Sequence, residues 1–176
     1  MATTTALTVK DFLSLKLRED RKYELVAGEV VEVAYAKRRH ELVKSNAMHL
    51  LCTYVASNPI GRVFAETMFE LGETEARQPD VSLLLNEQIP APLGDGLFDF
   101  APALAVEVVS CGDLEQKVEL FLEKGSRAVW VLYPEQRAIR ICERSGVSRL
   151  LRGDQLVQTD FLPGFAVPAG RFFEGL

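Results

Sequence analysis

The stretch Ala103-Leu104-Ala105-Val106-Glu107-Val108-Val109 is almost wholly apolar and carries one charge, on Glu107. A short apolar run of this kind predicts a strand that is covered on both faces of a sheet. Residues 113–124, which follow it, have a helical period and stop before Gly125. Residues 128–133 are again apolar and predict a second buried strand. The three segments predict a β-α-β unit with parallel strands and a right-handed crossover.

The rest of the chain adds strands and helices around this unit. The elements predicted upstream are a short helix at 8–17, a hairpin at 23–33, a long helix at 36–57, and strands at 62–71 and 79–85. Those predicted downstream are a strand at 138–143 and short edge strands and turns to the C-terminus, with a long loop at 89–102 before the unit. This order predicts one α/β domain over residues 1–176, with a central mixed sheet flanked by helices and an N-terminal hairpin.

The composition is that of an ordinary globular domain. Of the 176 residues, 48% are apolar and 26% are charged, so the chain can bury a core without disulfides or structural metals. No segment is long and apolar enough to span a bilayer, and the N-terminus lacks the pattern of a signal peptide. We therefore expect a cytoplasmic protein without membrane contact. The three cysteines fit no zinc-binding spacing: Cys52, Cys111 and Cys142.

The charge balance limits the ways in which this protein could bind nucleic acid. A net charge of -5 and an isoelectric point of about 5.2 argue against a protein that coats nucleic acid by charge alone. They do not exclude an enzyme that contacts nucleic acid through a local basic patch. One local basic run is present, Lys37-Arg38-Arg39-His40, followed by Lys44.

Two carboxylates lie where the sequence predicts buried strands. Glu107 interrupts an apolar strand, where a carboxylate costs several kcal/mol unless it is paired, neutralised or bound to metal. Its partner could be an arginine, such as Arg77 or Arg127, or a metal ion. Asp80 follows Pro79 at the start of another apolar strand, where an aspartate could also simply bind the amides of its own turn. Together, two carboxylates at neighbouring strand ends would suit Mg²⁺ or Mn²⁺.

Lys117 is the third candidate. On a helical wheel it falls about 60° from Leu114, at the rim of the buried arc and not on the outer face. From the helix after Glu107, such a lysine can reach back to the end of the strand. It could instead cover the edge of the core with its aliphatic part and keep its ammonium in water.

These residues belong to an ordered set that resembles a bacterial restriction-endonuclease family of the PD-(D/E)XK nuclease superfamily. The resemblance covers about residues 8–173 and implies a restriction endonuclease-like core. The matching pieces are Tyr-Glu-Leu-Val-Ala-Gly-Glu at 23–29, His40, Arg-Gln-Pro-Asp-Val at 77–81, Ala-Val-Glu-Val-Val-Ser at 105–110, residues 117–125, Ala-Val-Trp-Val-Leu-Tyr-Pro at 128–134 and Leu-Pro-Gly-Phe at 162–165.

The resemblance implies a function and a set of site residues. Asp80, Glu107 and the backbone carbonyl of Val108 would bind Mg²⁺ or Mn²⁺, and Lys117 would act on the attacking water and the phosphate. The implied activity is an endonuclease that hydrolyses DNA phosphodiester bonds. We expect transient contact with DNA and a homodimer, because cleavage of a duplex needs two active sites. The apolar hairpin or the C-terminal strands could form the dimer contact.

The sequence departs from the superfamily pattern in two places. The lysine should stand two residues after the acid, where this chain has Val109, so the resemblance places the lysine on the next helix, at Lys117. The segment after Ser110 is also shorter than is usual in the family. These departures leave two alternatives open: a catalytically inactive descendant of the fold that binds nucleic acid or protein, and a hydrolase of small phosphate esters.

The sequence leaves the roles of several auxiliary residues open. His40 lies on the apolar stripe of the long helix, where it could donate to a substrate phosphate or be a half-buried structural histidine. Glu41, on the opposite side, could assist the metal or be solvated. Glu24 and Glu29 flank the hairpin and predict surface or strand-pairing roles, and His49 predicts a surface position.

Overall fold

The computed structural model describes residues 6–109 and 114–176. Its first helix, α1 (Val9–Ser14), begins at Thr8, whose side chain accepts a hydrogen bond from the Asp11 amide. The Asp11 carboxylate binds the Thr8 amide in return, at 3.0 Å, so two otherwise unpaired amides of the first turn are satisfied. The helix is shorter than the predicted 8–17: it ends at Ser14, and Leu15 is already extended.

A four-stranded sheet follows, in the order β2-β1-β5-β4. Strands β1 (Lys22–Val26) and β2 (Glu29–Val33) form the predicted hairpin, and Ala27 and Gly28 turn it with φ angles of 49° and 80°. A Cβ on Gly28 would lie 2.5 Å from the Cβ of Ala6, so this turn requires glycine for space as well as for its backbone angle. The other two strands are β4 (Phe69–Gly72) and β5 (Glu75–Arg77).

The prediction of one strand over residues 62–71 was wrong. The segment contains β3 (Gly61–Ala65), which lies in the larger sheet, and β4, which lies in the smaller one. Glu66 separates them with a φ of 49°, a conformation that breaks a strand. Apolar residues alternate on both sides of the break, and therefore the pattern could not locate it.

The larger sheet has six strands in the order β10-β9-β8-β7-β6-β3. Its remaining strands are β6 (Val81–Leu85), β7 (Leu104–Val108), β8 (Ala128–Tyr133), β9 (Ala138–Glu143) and β10 (Ser148–Arg152). Strands β7 and β8 are parallel, as predicted, and the other pairs are antiparallel. The predicted central mixed sheet is therefore confirmed.

Two helices cover opposite faces of this sheet. Helix α2 (Arg38–Ser57) contributes Val43, Ala47 and Leu51 to a core that includes alternate residues of the strands, such as Val106 and Trp130. Helix α3 (Leu114–Glu123) contributes Val118 and Phe121 to the second core, on the other face of the sheet. This core contains the intervening residues of the same strands, such as Ala105 and Val129. Both central strands are covered on two faces, which explains why their sequences are continuously apolar.

The C-terminal residues complete the core on the α2 side. They form two short strands, β11 (Leu156–Val157) and β12 (Val167–Pro168), and a 3-10 turn at Ala169–Phe173. Phe165 and Phe172 pack on the Trp130 ring, with ring centroids 5.5 and 6.0 Å away. No helix among the described residues is long and apolar enough to cross a membrane.

Candidate active site

The register between β6 and β7 brings the two predicted carboxylates together. The strands are antiparallel, and Val81 at the start of β6 pairs with Val106 near the end of β7. Asp80 directly precedes Val81 and Glu107 directly follows Val106, so both lie at the same end of this strand pair. Asp80 binds across this junction, since its Oδ2 accepts a hydrogen bond of 2.7 Å from the Val108 amide. Its partner amide is therefore on the neighbouring strand, and the alternative of a purely local turn aspartate does not describe it.

Lys117 turns inward from α3 and reaches the same place. Its Nζ lies 2.8 Å from Glu24 Oε1, 2.9 Å from Glu107 Oε1 and 3.1 Å from the Gln78 carbonyl oxygen. The side chain is only 14% exposed. The ammonium is thus held inside the protein and does not extend into water.

Neither arginine proposed as a partner of Glu107 takes that role. Arg77 contacts Glu75 at 2.9 Å and Glu24 at 3.6 Å, and Arg127 pairs with Glu87 on the surface. Lys117 is instead the cation beside Glu107. This ion pair leaves Glu107 Oε1 without an aligned hydrogen bond, although the atom is fully buried.

Burial controls the protonation of this pair. The pKa of Glu107 is raised to about 8, chiefly by removal from water; the Lys117 ammonium opposes this effect, and the nearby charges of Asp80 and Glu24 add to it. Burial alone would lower the pKa of Lys117, but the carboxylates of Glu107 and Glu24 outweigh it and raise this pKa above its usual value. Lys117 therefore carries its positive charge throughout the physiological pH range.

Glu24 is a member of the site that the sequence analysis missed. It is 7% exposed, and besides Lys117 its Oε1 accepts a hydrogen bond of 2.7 Å from the Gln78 amide. The sequence predicted a surface or strand-pairing role for it, because it flanks the hairpin. No local sequence signal marks Glu24, because its burial comes from Lys117 and Gln78, which are distant in sequence.

The two histidines differ as predicted, and Glu41 lies apart from the carboxylates. His40 is buried in the first turn of α2 and its Nε2 lies 3.0 Å from Asp80 Oδ1, whereas His49 is exposed. Glu41 is exposed and pairs with Lys44, which also contacts Glu66. The structure therefore joins His40 to the candidate site, and it favours the solvated alternative for Glu41.

The donor set allows a metal ion but does not form a complete cage. Within residues 6–109 and 114–176, no three His, Cys, Asp or Glu side chains are grouped so that they could hold a metal. Mg²⁺, however, is often bound by one or two carboxylates and keeps several waters. Glu107 Oε1 already faces the Lys117 ammonium at 2.9 Å, so the fit rests on the hard carboxylate oxygens of Asp80 and Glu107, which are ligands that Mg²⁺ accepts. Two carboxylates therefore fit this ion, while residues 110–113, where the family segment is shortened, lie outside the described residues.

Comparison with known proteins identifies the family. The family model Uma2, described as "Putative restriction endonuclease", matches residues 9–170. The chain belongs to the Uma2 family. The resemblance inferred from the sequence is thereby confirmed. No curated protein matches the chain significantly.

A solved structure shows the same fold as this Uma2 protein. It is the crystal structure of a putative nuclease belonging to DUF820 from Anabaena variabilis. The two chains superpose with a TM-score of 0.86 at 19% sequence identity, over 95% of this chain and 97% of the other. At this identity the likeness establishes the fold, and it agrees with the α/β architecture of a mixed sheet flanked by helices.

Proposed function

We propose that this Uma2 protein is an endonuclease that uses Mg²⁺ or Mn²⁺ to hydrolyse DNA phosphodiester bonds. The proposal depends chiefly on one observation: Asp80, Glu107 and Lys117, which are far apart in the sequence, meet at one junction of β6, β7 and α3. The Uma2 family is described as a "Putative restriction endonuclease" and the structural neighbour as a "putative nuclease", and both descriptions support the reaction class.

The proposed metal ligands are the carboxylates of Asp80 and Glu107 and the backbone carbonyl of Val108. A divalent ion bound there would lower the pKa of a bound water and polarise a phosphoryl oxygen. Glu107 must be ionised to act as a ligand. Because burial raises its pKa to about 8, the free protein resists this ionisation, and a cation beside it would favour it.

Lys117 acts as a fixed positive charge in this proposal. Its raised pKa makes it a poor general base, since it does not lose its proton near neutral pH. The ammonium can instead donate to a phosphate oxygen and stabilise the charge that develops there. Glu24 and the Gln78 carbonyl hold the Nζ in place, so both act as positioning groups.

His40 has a positioning role toward Asp80. The 3.0 Å contact fixes one carboxylate oxygen, and the Val108 amide fixes the other. A ligand carboxylate held in this way keeps its orientation when the metal binds, and such outer partners tune metal affinity. The alternative, in which His40 donates to a substrate phosphate, is not needed to explain its position.

We also propose that the enzyme cuts duplex DNA as a homodimer, because one active site reaches one strand. The hairpin supports this expectation. Strand β2 lies at the edge of its sheet, and Val31 and Val33 on it are 42% and 38% exposed. Unpaired strand edges with apolar side chains readily pair with a second chain. Molar mass in solution, measured by light scattering, should be about twice the 19.6 kDa of one chain.

One observation favours a second candidate, the non-catalytic descendant. Lys117 bridges Glu24 and Glu107 at 2.8 and 2.9 Å, and such a bridge could serve structure alone. The two candidates differ in how they respond to metal. A ligand that binds only the folded state raises its stability, so Mg²⁺ or Mn²⁺ should raise the Tm of a metal enzyme and leave that of a structural descendant unchanged.

The choice of substrate distinguishes the proposed endonuclease from the remaining alternative, a hydrolase of small phosphate esters. Incubation with Mg²⁺ and either supercoiled plasmid or small phosphate esters should yield nicked and linear plasmid and leave the esters intact. Hydrolysis of the esters alone would indicate a small-molecule hydrolase. A protein that neither nicks plasmid nor gains stability from metal would contradict the proposed function.

A further inference from the structure

An acidic protein with an acidic site repels DNA unless cations lie beside that site. The chain has a net charge of -5, and two of its acids, Glu24 and Asp80, lie near Glu107 in the candidate site. Phosphate contacts from Lys and Arg provide most of the affinity in protein–DNA complexes. The exposed cations that lie near the carboxylates therefore indicate where DNA could bind.

The first group of cations lines an open cleft of about 710 Å³ between the end of α1 and the start of β1. Its lining contains four cations and one acid: Lys16, Arg18, Arg21, Lys22 and Glu19. Gln78 also lines it, and the main chain of Gln78 contacts both Lys117 and Glu24. One wall of the basic cleft is therefore also a wall of the candidate active site.

The second group is the basic start of α2. Lys37, Arg38 and Arg39 are all exposed, and the next residue, His40, contacts Asp80. These three cations thus lie within one helical turn of the other side of the carboxylate site. The two groups approach each other through Arg21, whose guanidinium lies 5.5 Å from the centroid of the exposed Tyr35 ring.

Several of these cations already have carboxylate partners, and this bears on which of them can bind phosphate. Arg18 pairs with Asp20 at 2.8 Å, with both side chains more than 60% exposed. Exposed pairs of this kind contribute little free energy, so a phosphate can replace the carboxylate. In the described part of the chain, Lys16, Lys37 and Arg38 have no carboxylate within 4.0 Å. Their charges are available without breaking an ion pair.

We propose that the α1–β1 cleft and the start of α2 form one DNA-binding track, whose cations hold the phosphate backbone on two sides of the Asp80–Glu107 site. The inference rests on the proposed function, since it takes DNA as the ligand. It adds where the duplex lies and which side chains bind it.

The test measures how the affinity for DNA depends on salt. Wild type and variants are titrated into a fluorescently labelled DNA duplex at several KCl concentrations, with Ca²⁺ in place of Mg²⁺, and binding is followed by anisotropy. The variant Lys16→Gln/Arg38→Gln removes one unpaired cation from each side of the track. Each phosphate contact contributes roughly 0.9 to the slope of log K against log salt, so the slope should fall by about 2.

The matched control is Arg62→Gln/Arg144→Gln, which makes the same charge change elsewhere. Both arginines are exposed and lie at the opposite end of the large sheet, Arg62 in β3 and Arg144 in the turn after β9. This control should keep the wild-type slope. The proposed track would be wrong if all three proteins had equal slopes, or if the slope fell equally in both variants. It would also be wrong if wild type did not bind the duplex.

Plasmid nicking separates failure of the track from failure of the proposed function. If wild type nicks plasmid but the salt slope does not depend on Lys16 and Arg38, the proposed function stands and the proposed track is wrong. If the slope depends on Lys16 and Arg38 but wild type does not nick plasmid, the track stands and the proposed function is wrong. The side chains of both track residues lie outside the carboxylate site, so the Tm of the variants should equal that of wild type.

Discussion

Replacing Glu24 by Gln tests whether the hairpin is part of the site. The substitution keeps the shape of the side chain and an acceptor for the Gln78 amide, but it removes the charge that faces Lys117 at 2.8 Å and Arg77 at 3.6 Å. Removing one partner from a buried pair can cost about 3–5 kcal/mol. Here Lys117 keeps two oxygen acceptors, Glu107 Oε1 at 2.9 Å and the Gln78 carbonyl at 3.1 Å, and Arg77 keeps Glu75 at 2.9 Å. The loss should therefore be nearer the value of one charged hydrogen bond, about 1.5–3 kcal/mol.

Urea denaturation at neutral pH measures this difference, and the chain supplies a matched control. Glu29→Gln lies in the same hairpin, but Glu29 is exposed and its change should cost less than about 0.5 kcal/mol. Nicking should also fall in Glu24→Gln, because the Lys117 ammonium loses one of its three neighbours. If both variants were equally stable, Glu24 would be an ordinary surface acid and the packed site would be incorrect.

Two further predictions concern Glu107 and His40. The pKa of Glu107 is about 8 in the folded protein, against an ordinary value of 4.5. Between these two pH values the folded protein keeps a proton that the unfolded chain has lost. The free energy of unfolding therefore falls as pH rises through this range, by up to about 1.4 kcal/mol per pH unit. Denaturation in EDTA should show this slope in wild type and not in Glu107→Gln; parallel profiles would contradict the assignment. His40→Ala should weaken metal-dependent nicking roughly 10–100-fold, since its partner is the proposed ligand Asp80, whereas His49→Ala should not; equal effects would argue against the positioning role.

The central β-α-β unit could be predicted because its signal is strong and local. Residues 128–133 and 138–143 were predicted with the bounds that the structure shows, since each is an apolar segment between turn residues. The same reasoning failed at Glu66, where a single left-handed residue redirects the chain between two sheets. A period of two continues across that residue, so periodicity contains no information on which sheet each half joins.

The site was partly predictable for a similar reason. Glu107 is visible as a charge in an apolar strand, and Lys117 as a cation at the rim of a helical face. The partner of Glu107 was not visible, because pairing between α3 and β7 depends on how the helix packs on the sheet. Glu24 was missed because its burial comes from Lys117 and Gln78, which are distant in sequence and whose proximity only the folded chain reveals.

The most direct test of the proposed site is plasmid nicking by wild type and Asp80→Ala during titration with Mg²⁺ and Mn²⁺. Asp95→Ala is the matched control, since Asp95 is an exposed loop residue. We predict nicking that requires metal, persists in Asp95→Ala and is lost in Asp80→Ala. Metal-dependent nicking that survives in Asp80→Ala, or no nicking and no rise in Tm with metal in wild type, would contradict the assignment of a metal-dependent nuclease centre at Asp80, Glu107 and Lys117.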